Sequence, residues 1–278
     1  MDNSTPPFDN CVSSAASRYL FLSWFIIYLL MLPLFLFVLY IGFNKWKKPQ
    51  SSASGGLNHS DVFTLNMVTM EIISVVGTCV ACYGFMKLNS EITSFGGDTV
   101  ITTMTGQTLF HSLTCVERYL AVVHPVVYLR LKRGGGVIIK NISIIFVWVF
   151  CVTFTLLFRL IKSNLFYSLF SVVFSFVPLP LVAYRSVYVL CVLTRPKPGE
   201  RGGPKKIDQS KRSTVYTVVA ILAVLLLRLM TNVMYNSLFT ILNYEPACVV
   251  SMSSYWAVMP CSLVLPLLFL HRAGKLTC

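Results

Sequence analysis

Seven long apolar runs divide the chain. Tyr19 to Phe43 passes 25 residues without an Asp, Glu, Lys or Arg, and Val62 to Met86 passes another 25 broken only by Glu71. Thr99 to Val116 is uncharged and then meets Glu117 and Arg118. Asn141 to Phe158 is uncharged, Ser163 to Thr194 carries only Arg185, Ser213 to Tyr244 carries only Arg228, and Pro246 to Leu270 is uncharged. A bilayer core takes roughly 20 apolar residues per helix, and buried soluble helices are mostly shorter than these runs. The pattern predicts an all-α membrane protein, a seven-transmembrane helix bundle with spans near 19–43, 62–86, 99–123, 141–158, 165–193, 213–240 and 247–270. An outer tail, 1–18, and a short inner tail, 271–278, complete the division.

Composition agrees. Of 278 residues, 55% are hydrophobic and 12% charged, too apolar a mix for a cytosolic enzyme to bury. Lys and Arg number 23 against 10 Asp and Glu, an excess that in a soluble chain would suggest nucleic acid. Here its distribution is what matters. With the N-terminus outside, sixteen basic residues fall in inner segments, four in outer segments and three within spans. Positive residues favour the cytoplasmic side. The chain is therefore expected to run from an outside N-terminus to an inside C-terminus, as a multi-pass protein of the plasma membrane with no nucleic-acid partner. The first apolar run lacks a basic leader and is long for a cleaved signal, so it is expected to stay as an anchor. Asn3-Ser4-Thr5 is a glycosylation sequon on the outer tail.

The end of the third span is specific. It reads Ser112-Leu-Thr-Cys-Val-Glu117-Arg118-Tyr119-Leu-Ala-Val-Val-His-Pro125-Val126-Val127-Tyr128. This resembles the Glu/Asp-Arg-Tyr motif of rhodopsin-like (class A) G-protein-coupled receptors and its following Leu-Ala-Val-x-x-Pro stretch. The resemblance implies a receptor that passes binding of an unknown extracellular ligand to a heterotrimeric G protein. Arg118 would be the main switch residue, with Glu117 and Tyr119 in support. Val126, after Pro125, matches the position that docks into the G protein. An arginine at the inner mouth of a bundle is costly unless paired, and the adjacent Glu117 can hold it.

Other positions fit the same family. Trp148 matches its central tryptophan in span four. Pro180 and Tyr188 have its spacing in span five. Pro266 and Phe269, within Leu265-Pro266-Leu267-Leu268-Phe269, resemble its Asn-Pro-x-x-Tyr, with Leu for Asn and Phe for Tyr. Asn66 and Glu71 match its Asn and sodium-binding Asp in span two. Glu71 is left with three readings: a neutral hydrogen-bonded acid, a sodium ligand, or half of a charge pair. The span-seven positions facing it look like Cys261 and Leu265, poor sodium ligands, which leaves Gln107 of span three as the promising neighbour.

The departures are also informative. Span one lacks the family's asparagine and has Pro33 near that place. Span six lacks the family's Cys-Trp-x-Pro hinge. The usual outer disulfide is missing, since its span-three cysteine would fall near Thr93 and the second outer loop has no cysteine. Cys11 and Cys248 both face the outer side, as a bridge tying the tail across the bundle mouth or as free thiols. Arg228 lies mid-span in helix six, and Asn232, Tyr235 and Asn236 follow on the same face. An intramembrane arginine marks either an anion-binding pocket or an internal pairing with Glu71 or helix carbonyls.

No Walker loop, His-Glu-x-x-His, paired Cys-x-x-Cys or lipase elbow occurs, so neither an enzyme, a cofactor nor a metal is expected. Two rival readings remain: a seven-helix decoy, scavenger or assembly partner that does not signal, and a transporter or channel. The transporter reading is weakened by the lack of internal repeats.

Overall fold

In the computed structural model, the described residues are 15–47, 59–87, 89–124, 126–129 and 136–161, with 184, 188 and parts of 219–231 and 253–273. Five helices are delimited: α1 (Ala15–Leu30), α2 (Leu32–Lys47), α3 (His59–Met86), α4 (Ser90–Val123) and α5 (Gly136–Ile161). Residues 219–224, 259–264 and 266–271 are also helical, and no strand occurs among the described residues. Among the described residues, three stretches are long and apolar enough to cross a membrane: Arg18–Lys47, Asp61–Met86 and Ile138–Leu157. They belong to the first, second and fourth apolar runs.

The first of these stretches is built from two helices. Pro33 has no N–H to give to the turn before it, so the ladder changes step there. Met31 N donates three residues back, to the Tyr28 carbonyl at 3.1 Å, and Phe35 N donates four back, to the Met31 carbonyl at 3.2 Å. Above and below the break, Phe21, Trp24, Tyr28, Phe35 and Val38 are buried, while Tyr19, Ile26, Leu30, Leu36 and Tyr40 are exposed on the other side. The buried stripe packs against Val68 and Val75 of α3 and against Met259, Phe269 and Leu270 near the end of the chain.

Helices α3 and α4 form a tight antiparallel hairpin. The Asn89 side chain accepts the Ile92 N–H at 3.1 Å and caps α4, which satisfies one of its free amide donors. Small residues then let the backbones meet. A Cβ on Gly96 would lie 2.3 Å from the Ala81 nitrogen and 2.5 Å from the Gly77 carbonyl oxygen. A Cβ on Gly84 would lie 2.5 Å from the Thr93 nitrogen. Such close approach is how membrane helices gain packing energy without a hydrophobic driving force.

α4 begins nine residues before the predicted third span and is the most polar of the five. Its hydroxyls are satisfied within the helix. Thr99, Thr102, Thr105, Thr108 and Thr114 each donate to the carbonyl four residues back, at 2.8–3.0 Å. An unsatisfied buried hydroxyl would cost about 1–3 kcal/mol, so these bonds let a threonine-rich helix occupy the interior. α5 is the reverse case. Ile138, Ile142, Ile145, Val149, Val152, Leu156 and Leu160 are all exposed along its length. Val147, Cys151 and Phe154 are buried, the first two packed with Met70, Phe110 and Ile221 in a second core cluster.

Candidate functional site

Two polar clusters stand out, one halfway along the helices and one at the end of α4.

The midway cluster is centred on Glu71, which is 5% exposed. The Tyr28 hydroxyl donates to Glu71 Oε2 at 2.5 Å and lies 3.5 Å from its backbone carbonyl. Tyr28 is held on both sides: Trp24 stacks on it (5.0 Å between centroids, 18°) and Phe35 meets it edge-on (6.3 Å, 71°). A cavity of ≈ 10 Å³ opens beside the carboxyl, with Gln107, Ser74 and Ser262 on its wall. That is space for about one water, and the polar walls supply the partners it would need. Gln107 is therefore the neighbour expected from the sequence. In the helical segment 259–264, however, Ser262 faces this cavity, while the Cys261 thiol lies 3.7 Å from the Val224 carbonyl as its donor. Among the described residues, Glu71 has the Tyr28 hydroxyl as a hydrogen-bond partner. Its pairing with Arg228 lies outside them. Among the described residues no group of three His, Cys, Asp or Glu is placed to hold a metal ion.

Asn66, one turn and a half before Glu71, donates to the Val62 carbonyl at 2.9 Å and accepts the Trp148 indole N–H at 3.0 Å. The two positions matched separately to the family are thus bonded to each other across α3 and α5.

The second cluster gathers around Glu117, Arg118 and Tyr119 in the last turns of α4. His124 N closes the helix on the Leu120 carbonyl at 3.0 Å, and residues 126–129 form a further helical turn. That turn brings Tyr128 back over the motif, where its hydroxyl donates to Glu117 Oε1 at 3.4 Å. Burial pushes the Tyr128 phenol pKa up, the Glu117 carboxylate pushes it further, and the Arg118 guanidinium works against both. Tyr128 is thereby kept as a neutral donor to Glu117. The Tyr119 ring lies 5.9 Å from that of Tyr188 and 5.8 Å from the His124 imidazole. Val126 is 75% exposed. Pro125 lies outside the described residues.

Pro266 and Phe269 are both buried, Phe269 to 3%. Phe269 meets the end of the first run, where the Lys45 ammonium lies 6.0 Å from its ring centroid. Lys45 also pairs with Asp61 at 2.8 Å, with the carboxylate side chain only 7% exposed. The first, second and last described segments are joined there by one cation.

At the other end, Arg159 pairs with Asp98 at 3.4 Å and lies over the Phe95 ring at 4.4 Å. Below it the Thr102 and Thr155 hydroxyls are 2.8 Å apart. These contacts tie α4 to α5 near Thr93, where the family's disulfide cysteine is missing.

Arg228, Asn232, Tyr235 and Asn236, the Cys11 and Cys248 pair, and Asn3 all lie outside the described residues. Tyr28, Tyr128 and the Lys45–Asp61 pair were not singled out by the sequence. A signal for Tyr28 does exist in it: Phe21, Trp24 and Tyr28 share one helical face, and a hydroxyl-tipped aromatic on a buried stripe needs a partner. No protein-family model matches this chain, and no curated protein matches it.

Proposed function

We propose that the chain is a divergent rhodopsin-like G-protein-coupled receptor: seven spans, N-terminus outside and C-terminus inside, in the plasma membrane. The observation that carries this reading is the meeting of Tyr119 with Tyr188. The family resemblance puts these two tyrosines at the inner ends of spans three and five, and their rings touch. The Asn66–Trp148 hydrogen bond supports it from a second pair of matched positions.

The working is then as follows. An extracellular ligand binds among the outer helix ends, where Arg228 with Asn232, Tyr235 and Asn236 offers an anion-binding face. It shifts the equilibrium only by its difference in affinity for closed and open bundles. In the closed state Glu117 and Tyr128 hold the neighbourhood of Arg118. In the open state Arg118 and the exposed Val126 engage a heterotrimeric G protein. No reaction is catalysed and no cofactor is needed.

The test is G-protein dissociation in cells, run for each G-protein class, at matched surface levels of parent and Arg118→Ala. A basal or ligand-driven signal that disappears in Arg118→Ala supports the receptor reading. Indistinguishable traces in every class leave the non-signalling seven-helix protein. Epitope tags at the two ends check topology, with the N-terminal tag accessible on intact cells and the C-terminal tag only after permeabilisation.

A further inference from the structure

The first span lacks the family's asparagine, yet the acid of the second span has a partner from that span. We propose that Tyr28 is the positioning residue for Glu71, and that the break at Met31–Pro33 sets where the carboxyl points.

Four observations meet at this residue. First, the hydroxyl reaches both the Oε2 and the backbone carbonyl of Glu71, with both residues about 95% buried. Second, the ring cannot easily turn away, because Trp24 stacks on one side and Phe35 closes the other. Third, Tyr28 occupies the last turn of α1, and its own carbonyl accepts the hydrogen bond from Met31 that marks the break. Tyr28 is therefore bonded directly to the residue at the break. Fourth, the two halves of the first span are anchored separately. The Trp256 indole N–H lies 3.4 Å from the Leu20 carbonyl, which accepts its bond and ties α1 to the chain's last segment. Lys45 ties α2 to Asp61 and to the ring of Phe269. Movement of Phe269 would thus pull on α2, bend the span at its break, and shift the hydroxyl that holds Glu71 beside the Gln107 and Ser262 cavity.

The part played in signalling rests on the receptor reading; the positioning of Glu71 does not. The experiment is chosen so that the two fail separately. Infrared spectra of the purified protein in lipid are recorded for the parent, Glu71→Gln, Tyr28→Phe and Pro33→Ala. The carboxyl band absent in Glu71→Gln identifies Glu71. It is expected to move in Tyr28→Phe, which removes only the hydroxyl, and in Pro33→Ala, which restores the missing N–H and straightens the span. A band unmoved in Tyr28→Phe overturns the proposal outright, and one that moves in Tyr28→Phe but not in Pro33→Ala overturns the role of the break. A merely space-filling tyrosine would leave the band where it was, since phenylalanine fills the same space. In the dissociation assay, Tyr28→Phe is expected to change the basal signal, and the Tyr28→Phe/Glu71→Gln double variant to match Glu71→Gln alone. Additive effects would show that Tyr28 acts by some other route. If no variant or parent couples to any G protein, the receptor reading fails and the infrared result still decides the positioning.

Discussion

α4 and α5 lie side by side, and their sequences advertise opposite things. α5 is apolar enough to count as a crossing, and yet only 17% of that stretch is buried. α4 is longer, carries threonines, Gln107 and His111, and does not qualify by apolarity, but Thr103, Gln107, His111 and Thr114 are among the most buried polar residues described. Hydropathy along such a chain reports which helix faces lipid. It does not report which helix is central. A central helix meets other helices on most sides and can afford hydroxyls, provided its own carbonyls absorb them.

The contrast can be broken most forcefully at Gly96. Alanine is the better helix former by about 1 kcal/mol, so on α5's outer face such a change would help. At Gly96 the new Cβ would run into the backbone of α3, and Gly96→Ala is expected to cost a net of roughly 1–3 kcal/mol. Thermal unfolding in detergent measures it, with Val149→Leu on the exposed side of α5 as a control that stays within about 0.5 kcal/mol. Equal effects of the two changes would remove the distinction between the helices.

A smaller effect is expected where α3 and α5 share a hydrogen bond. Trp148→Phe removes the indole N–H from Asn66 and is expected to cost about 1 kcal/mol, the usual size of a polar contact between membrane helices. In a double-mutant cycle with Asn66→Ala, most of that loss should vanish. Full additivity would mean that the bond contributes nothing.

The smallest effect belongs to Asp98, one residue outside the predicted third span. Burial pushes its pKa up, and the Arg159 pair lowers it by less. The folded state therefore holds this proton more tightly than the unfolded chain does. Its contribution is complete below the ordinary carboxylate range and is lost as pH rises through the raised value. Asp98→Asn should leave stability unchanged or slightly higher near neutral pH, and should flatten the melting-temperature profile on the acid side. A clear loss at neutral pH would show that the Arg159 pair outweighs burial.

Much of this architecture was legible in the sequence. The first, second and fourth apolar runs all lie within the described helices, and Glu71 and Gln107 face a common cavity. Helix starts were less legible. The third run reads as starting after Asp98, because a charge marks a boundary; the helix continues through it, and Arg159 of another helix receives the charge. Pairings were the least legible. Lys45 and Asp61 are sixteen positions apart, and Tyr28 and Glu71 are forty-three apart. Such contacts depend on rotation and tilt, which no periodicity records. Where the family pattern supplied positions, as for Asn66 and Trp148, it named both residues without joining them.

The three-residue turn between α3 and α4 bears on how the protein is made. A threonine-rich segment leaving the ribosome has little reason to partition into hydrocarbon by itself. Its predecessor does, and it is tethered too closely for the two to part. In a membrane protein built this way they would enter the bilayer as a unit, the oily member chaperoning the wet one, with Gly96 and Gly84 allowing them to close before any later segment has emerged.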